Sequence, residues 1–150
     1  MRKVDLPFYL ALLLFCSAAN APNFTGTWIF QGTKGGPPFA GDLVISQTGI
    51  YVTLTTMKGQ NALSSVTYTI DSGEHTIISQ SNGSNKYKAV LIDNTLTITG
   101  VVSYTTGKQS PYENSLTLSA DGKTLTFTTR PWNPMSSSFL PGWTFIFAKR

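Results

Sequence analysis

Residues Thr95–Thr99, Ser115–Ser119 and Thr124–Thr128 share one pattern. Leu96 and Ile98 alternate with Thr95, Thr97 and Thr99; Leu116 and Leu118 alternate with Ser115, Thr117 and Ser119; Leu125 and Phe127 alternate with Thr124, Thr126 and Thr128. A period of two puts the apolar side chains on one face of a strand and the hydroxyls on the other. Such strands build an antiparallel sheet with one face packed and one face wet. No helical period follows residue 22. Only 12% of the residues are charged and nine are phenylalanine, which excludes the charge-rich, aromatic-poor composition of a disordered chain.

Ten strands are expected: Gly26–Gln31, Asp42–Ser46, Ile50–Thr56, Val66–Ile70, His75–Gln80, Lys86–Ile92, Thr95–Ser103, Tyr112–Ser119, Lys123–Thr129 and Trp143–Lys149. Turn signals recur every eight to twelve residues or so, the spacing of a sandwich or a barrel. The connections alternate in length. Gln47-Thr48-Gly49, Asp71–Glu74, Asp93-Asn94 and Ala120-Asp121-Gly122 are tight and built from turn formers. Gly32–Gly41, Met57–Ser65, Ser81–Asn85, Tyr104–Pro111 and Arg130–Gly142 are longer. In a meander, alternate connections lie at the same end, so one end is closed by tight turns and the other carries loops. This sorting favours an all-β, up-and-down antiparallel barrel of about 8–10 strands over the rival two-sheet sandwich. Bulky inward positions such as Phe30, Tyr68, Phe127 and Phe145 argue for a filled core or a small pocket.

The first 19 residues read as a secretory signal: basic Arg2-Lys3, an apolar run Phe8–Phe15 too short to span a bilayer, then Ser17-Ala18-Ala19. The barrel domain then occupies residues 20–150, in a secreted or periplasmic protein. Cys16 offers a competing lipoprotein anchor, but that reading wants a small residue before the cysteine and Phe15 is large. Cleavage after Ala19 leaves no cysteine, and the net charge of +4 falls by one with Arg2, Lys3 and Asp5.

Gly26-Thr27-Trp28 opens the first strand at the tight-turn end, and the last strand returns there to finish at Arg150. Trp28 is expected to plug the floor, with the Arg150 guanidinium over its indole face. Gly-x-Trp on a first strand and a basic residue closing the last resemble the lipocalin/calycin barrels. "VTYTIDSGEH", "YKAVLIDNTLTITG" and "SLTLSADGKTLTFTTR" resemble small secreted bacterial lipocalin-like domains. The resemblance covers most of residues 24–150 and implies a barrel whose Trp28 and Arg150 pack across the closed end. The chain departs from it in lacking a disulfide and in having ten strands instead of eight.

At the loop end six cations (Lys34, Lys58, Lys86, Lys88, Lys108 and Arg130) face two anions, Asp42 and Glu113. The tight-turn end holds three cations against four anions. This asymmetry suits an anionic ligand or surface, and equally suits lysines that keep loops soluble. The segment "RPWNPMSSSFLPG" places Trp132, Met135, Phe139 and Leu140 beside that end, and "GTKGGPPFAG" adds Phe39. Phe39, Lys86, Arg130, Trp132, Met135, Phe139 and Leu140 are therefore the candidate rim and mouth of a ligand site. These aromatics fit a lid or rim, and fit equally a cap folded onto the core.

Catalytic chemistry has little to stand on. His75 is the one histidine, beside a tight turn. With no cysteine in the mature chain, three or four metal ligands cannot be drawn from His and Cys. Asp42 and Glu113 are single carboxylates on separate strands. The strand faces carry threonine, not the cations and aromatics of a nucleic-acid surface. No enzyme activity, no cofactor, no metal and no nucleic acid are expected. The function these residues point to is binding of a small hydrophobic or amphipathic ligand, anionic if the cations take part, by a monomer through the loop end. The alternative is a ligand-free barrel that docks a protein or membrane surface through an apolar rim.

Overall fold

In the computed structural model, which describes residues 21–39, 41–79 and 83–150, every helix or strand present is a strand. In chain order these are β1 (Gly26–Lys34), β2 (Asp42–Thr48), β3 (Tyr51–Lys58), β4 (Asn61–Thr69), β5 (Glu74–Ser79), β6 (Gly83–Ile92), β7 (Thr95–Ser103), β8 (Gln109–Leu118), β9 (Thr124–Asn133), β10 (Ser138–Phe139) and β11 (Trp143–Lys149). All pairings are antiparallel, in the order β4-β3-β2-β1-β11-β9-β8-β7-β6-β5, with β10 attached to β9. The sheet curls into a nearly closed barrel. The ten expected strands are all present, and β10 is an addition. The expected signal segment and its expected cleavage site lie outside the described residues.

The contrast between tight turns and long loops is weaker than the sequence suggests. Met57–Ser65 is a strand hairpin: Met57 pairs with Ala62 and Lys58 with Asn61, past a register shift at Thr56/Met57. Gly59 turns it with φ +61°, a left-handed conformation that glycine adopts at least cost. Likewise β8 begins at Gln109 and β9 runs on through Pro131 to Asn133. Among the described connections, only those between β1 and β2 and between β9 and β11 remain long.

The closed end has a floor of two aromatic side chains. Phe24 and Trp28 are fully buried, and the Trp28 indole N–H donates to the Phe24 carbonyl at 2.9 Å. The cation over Trp28 is not Arg150. Lys149 Nζ lies 5.3 Å from the ring centroid, because Lys149 is the residue directly opposite Trp28 in the β1–β11 ladder. Arg150 contributes its backbone N–H to Thr27 O instead. Gly26 explains the spacing of the motif: a Cβ there would meet Lys149 Cε at 2.8 Å, so the missing side chain is the passage through which lysine reaches the indole. Strand alternation buries Ile45, Val52, Leu96, Leu116, Leu125 and Phe147 in the core beyond the floor.

The two ends of the sheet path, β4 and β5, follow one another in sequence yet share no described ladder. Side chains bridge them. Tyr87 on β6 reaches across β5, and its hydroxyl accepts the Thr69 N–H of β4 at 2.9 Å. The Tyr68 and Tyr87 rings meet edge to face at 5.0 Å. Below them, Ser72 N–H donates to Ala89 O.

Candidate functional site

The inner face of the upper barrel holds a cavity. Leu43 on β2, Leu54 and Thr56 on β3, Ser64, Val66 and Tyr68 on β4, Asn114 and Leu116 on β8, and Phe127 on β9 all line it, with Phe39 as its roof. Its volume is 130 Å³. A void of ~150 Å³ takes a benzene-sized molecule, whereas drug-sized ligands occupy roughly 300–1,000 Å³. As it stands, the cavity accepts one ring or a short chain.

Phe39 limits its size. The connection after β1 turns back down into the barrel, and Asp42 anchors its far end by accepting the Phe30 N–H at 2.9 Å. Phe39 then packs among Phe145 (5.0 Å between centroids), Phe147 (5.3 Å), Phe127 (5.9 Å) and Phe30 (6.3 Å). Gly41 lets this segment pass β3: a Cβ would lie 1.8 Å from the Met57 carbonyl oxygen.

The cavity borders the surface through the wall, beside the seam. A cleft of 360 Å³ between β4 and the β5–β6 pair is lined by Ser64, Val66, Ile77, Ser84, Asn85 and their neighbours. Ser64 and Val66 belong to both cavity and cleft. The upper half of β4, Asn61–Ser65, is exposed, so no apolar packing draws the seam shut there. The tyrosines close its lower half. Tyr112 donates to Asn85 Oδ1 at 3.0 Å and hydrogen-bonds the Tyr68 hydroxyl. Gly100 on β7 makes this reach feasible, since a Cβ there would lie 2.7 Å from the Tyr112 hydroxyl. Burial pushes the Tyr68 hydroxyl far above its ordinary value, with Tyr112 and Tyr87 adding to the rise. Burial also raises Tyr112, against the pull of its hydrogen bonds to Asn85 and Tyr68. Tyr68 and Tyr112 are therefore neutral donors at physiological pH.

The residues expected at the mouth do not form one site. Phe39 alone lines the cavity. Arg130 and Trp132 lie on the outer wall, because β9 continues past Thr129 and alternation turns even-numbered positions outward. Arg130 pairs with Glu113 at 3.0 Å and lies 5.3 Å from the Phe139 ring centroid. Trp132 packs edge-on against Phe139 at 5.1 Å, across the β9–β10 hairpin. Lys86 pairs with Glu74 at 2.7 Å, also outside, so neither cation addresses the interior. Met135 is 96% exposed and Leu140 is exposed at the same hairpin. Phe139, Lys86, Lys88 and Glu74 line a separate outer groove of 330 Å³.

Three polar lining residues, Thr56, Ser64 and Asn114, were missed by the sequence reading. Asn114 carried a signal: it stands two positions before Leu116, on the inward face, where a polar side chain is out of place. His75 Nε2 lies 2.7 Å from Asp71 Oδ1 at the β4–β5 turn, with both residues partly exposed. Among the described residues no three of His, Cys, Asp and Glu gather as a metal site.

No protein-family model matches the sequence, and no curated protein matches it. Solved structures do match in fold, each aligned over 85% of this chain. The REP1-NXSQ fatty acid transporter is 11% identical with a TM-score of 0.57 and is covered over 96% of its length. The zebrafish ileal bile acid-binding protein complexed with cholic acid is 16% identical at 0.58, covered over 98%. Caenorhabditis elegans lipid binding protein 8 is 10% identical at 0.58, covered over 95%. The class that fold defines is thus an all-β, nearly closed antiparallel barrel, which this chain shares with these proteins. At these identities the likeness concerns the fold.

Proposed function

We propose that this chain is a secreted carrier that binds a small hydrophobic or amphipathic molecule inside the barrel, beneath Phe39. The observation that carries the reading is an apolar cavity with a few polar groups, bordering a surface cleft at the β4–β5 seam. The fatty-acid, bile-acid and lipid-binding proteins that share its fold support it. Entry through the seam replaces entry through the loop end, because Trp132 and Phe139 are on the outer wall. A ligand longer than one ring requires Phe39 to yield, and its connection, tethered at Asp42, is the segment that would move.

Native mass spectrometry of the mature protein, purified without detergent from its own host, tests the reading. A reproducible added mass lost on denaturation is expected. A bare mass, with no uptake of added lipids or small aromatics, would defeat it. The exposed Met135 and Leu140 beside the Trp132–Phe139 pair favour a second reading, a surface contact through the β9–β10 hairpin, since grouped apolar exposure marks interaction sites. Met135→Ser with Leu140→Ser should abolish partner binding under that reading while leaving uptake of small molecules intact.

A further inference from the structure

The polarity of the cavity restricts its ligand, on the carrier reading above. The side-chain oxygen of Asn114 is buried and has no hydrogen-bond partner, while the residue lines the cavity. An orphaned buried acceptor is costly, and native proteins seldom leave one without water or a ligand. None of the neighbouring tyrosines serves it: Tyr112 donates to Asn85 and meets the Tyr68 hydroxyl, and Tyr87, whose hydroxyl accepts from Thr69, is not among the residues lining the cavity. Thr56 and Ser64, on the opposite wall, are hydroxyls able to donate or accept.

Charge is the second restriction. None of the described residues lining the cavity or the cleft is ionisable to a cation. Lys86 and Arg130 are engaged by Glu74 and Glu113 on the outside. A carboxylate brought into this interior would be desolvated with no counter-charge, and would face the Asn114 oxygen, a second acceptor. A hydroxyl meets neither obstacle, because it carries no charge and gives its proton to Asn114.

We infer that the cavity selects an uncharged ligand with a hydrogen-bond donor, an alcohol or phenol and not a carboxylate, received by the buried oxygen of Asn114. This expectation runs against the anionic ligand suggested by the loop-end cations.

Calorimetric titration at neutral pH with 4-methylphenol, toluene and 4-methylbenzoate tests it, with decanol and decanoate as a longer pair. 4-Methylphenol should bind about tenfold more tightly than toluene, the scale of one net hydrogen bond. 4-Methylbenzoate should be weaker than the phenol by more than about a hundredfold. In Asn114→Leu the phenol should fall to the affinity of toluene, toluene should be retained, and the unliganded protein should be no less stable. Asn114→Ala removes the acceptor without added bulk and serves if the leucine variant misfolds. Equal or tighter binding of the carboxylates overturns the inference and leaves the carrier reading standing. So does a phenol-to-toluene ratio unchanged by both variants. Failure of all five probes to bind removes the carrier reading, and the inference with it.

Discussion

The barrel has two seams, and they are built in opposite ways. β1 and β11 come from opposite ends of the chain, yet they pair from Trp28↔Lys149 to Lys34↔Thr144. β4 and β5 are neighbours in sequence, joined by one turn, and share no described ladder. Sequence separation therefore does not decide where a sheet closes; the cost of closing a long loop grows only slowly with its length. Buried apolar surface decides it. The β1–β11 seam carries Trp28, Phe145 and Phe147 on its inner face, while β4 offers Asn61–Ser65, all exposed. At the weaker seam a phenol hydroxyl occupies the place of a ladder carbonyl at Thr69, and space is left for a ligand.

The largest effect should come from breaking the stronger seam. Trp28→Ala removes a fully buried ring together with its bond to Phe24 O and its contact with Lys149. A loss of ~3–5 kcal/mol is expected for such a truncation, read from urea unfolding. A loss below about 1 kcal/mol would mean that Trp28 is not the floor. Phe39→Ala comes next. Its ring is only partly buried, so the cost should sit at or below the lower end of the Phe→Ala range, ~3 kcal/mol. The same change should enlarge the cavity and tighten uptake of longer ligands. Weaker uptake at preserved fold would show that Phe39 grips the ligand and does not hold its place.

Tyr87→Phe addresses the weaker seam directly. It leaves the Thr69 N–H without its partner, at a cost of ~1–3 kcal/mol if water does not replace the hydroxyl. Hydrogen exchange sharpens the contrast: the Thr69 amide should lose protection in the variant, while the amides paired between β1 and β11 keep theirs. Equal loss at both seams would mean that the barrel opens as one unit.

The two seams were not equally legible in the sequence. The paired strands were, because Thr95–Thr99, Ser115–Ser119 and Thr124–Thr128 alternate strictly and alternation survives folding as inside and outside. "MKGQNALSS" hid the upper β3–β4 hairpin, since its backbone pairs while neither face is buried, so no apolar period marks it. β9 also runs on beyond the expected end at Thr129. A proline argues against strand continuation, yet β9 runs through it, with the Pro131 carbonyl accepting the Leu140 N–H at 2.9 Å. Those extra residues place Arg130 and Trp132 on the outer wall and remove them from the mouth. The cation over Trp28 was misassigned by one residue, a matter of ladder register that only the structure fixes.

The smallest expected effect concerns the turn between β4 and β5. Ser72 sits there at φ +63°, and the Asp71 carboxylate holds the turn by accepting from His75 Nε2 at 2.7 Å and from Gly73 N–H at 2.8 Å. The His75 bond first, and the Gly73 N–H second, keep Asp71 below its ordinary value of 3.8. A depressed carboxylate stabilises the fold fully above that ordinary value, and the contribution disappears as pH falls through the lower, folded value. Asp121 is held low in the same sense at the β8–β9 turn, by the Ser119 hydroxyl and the Lys123 N–H. Asp71→Asn and Asp121→Asn should each flatten the fall of the thermal midpoint below about pH 4. Only Asp71→Asn should also make the exchange of β5 amides less sensitive to acid, because of the two carboxylates only Asp71 lies at the seam that has no ladder. Identical exchange profiles in the two variants would show that the turn contributes nothing to holding β5 against the barrel.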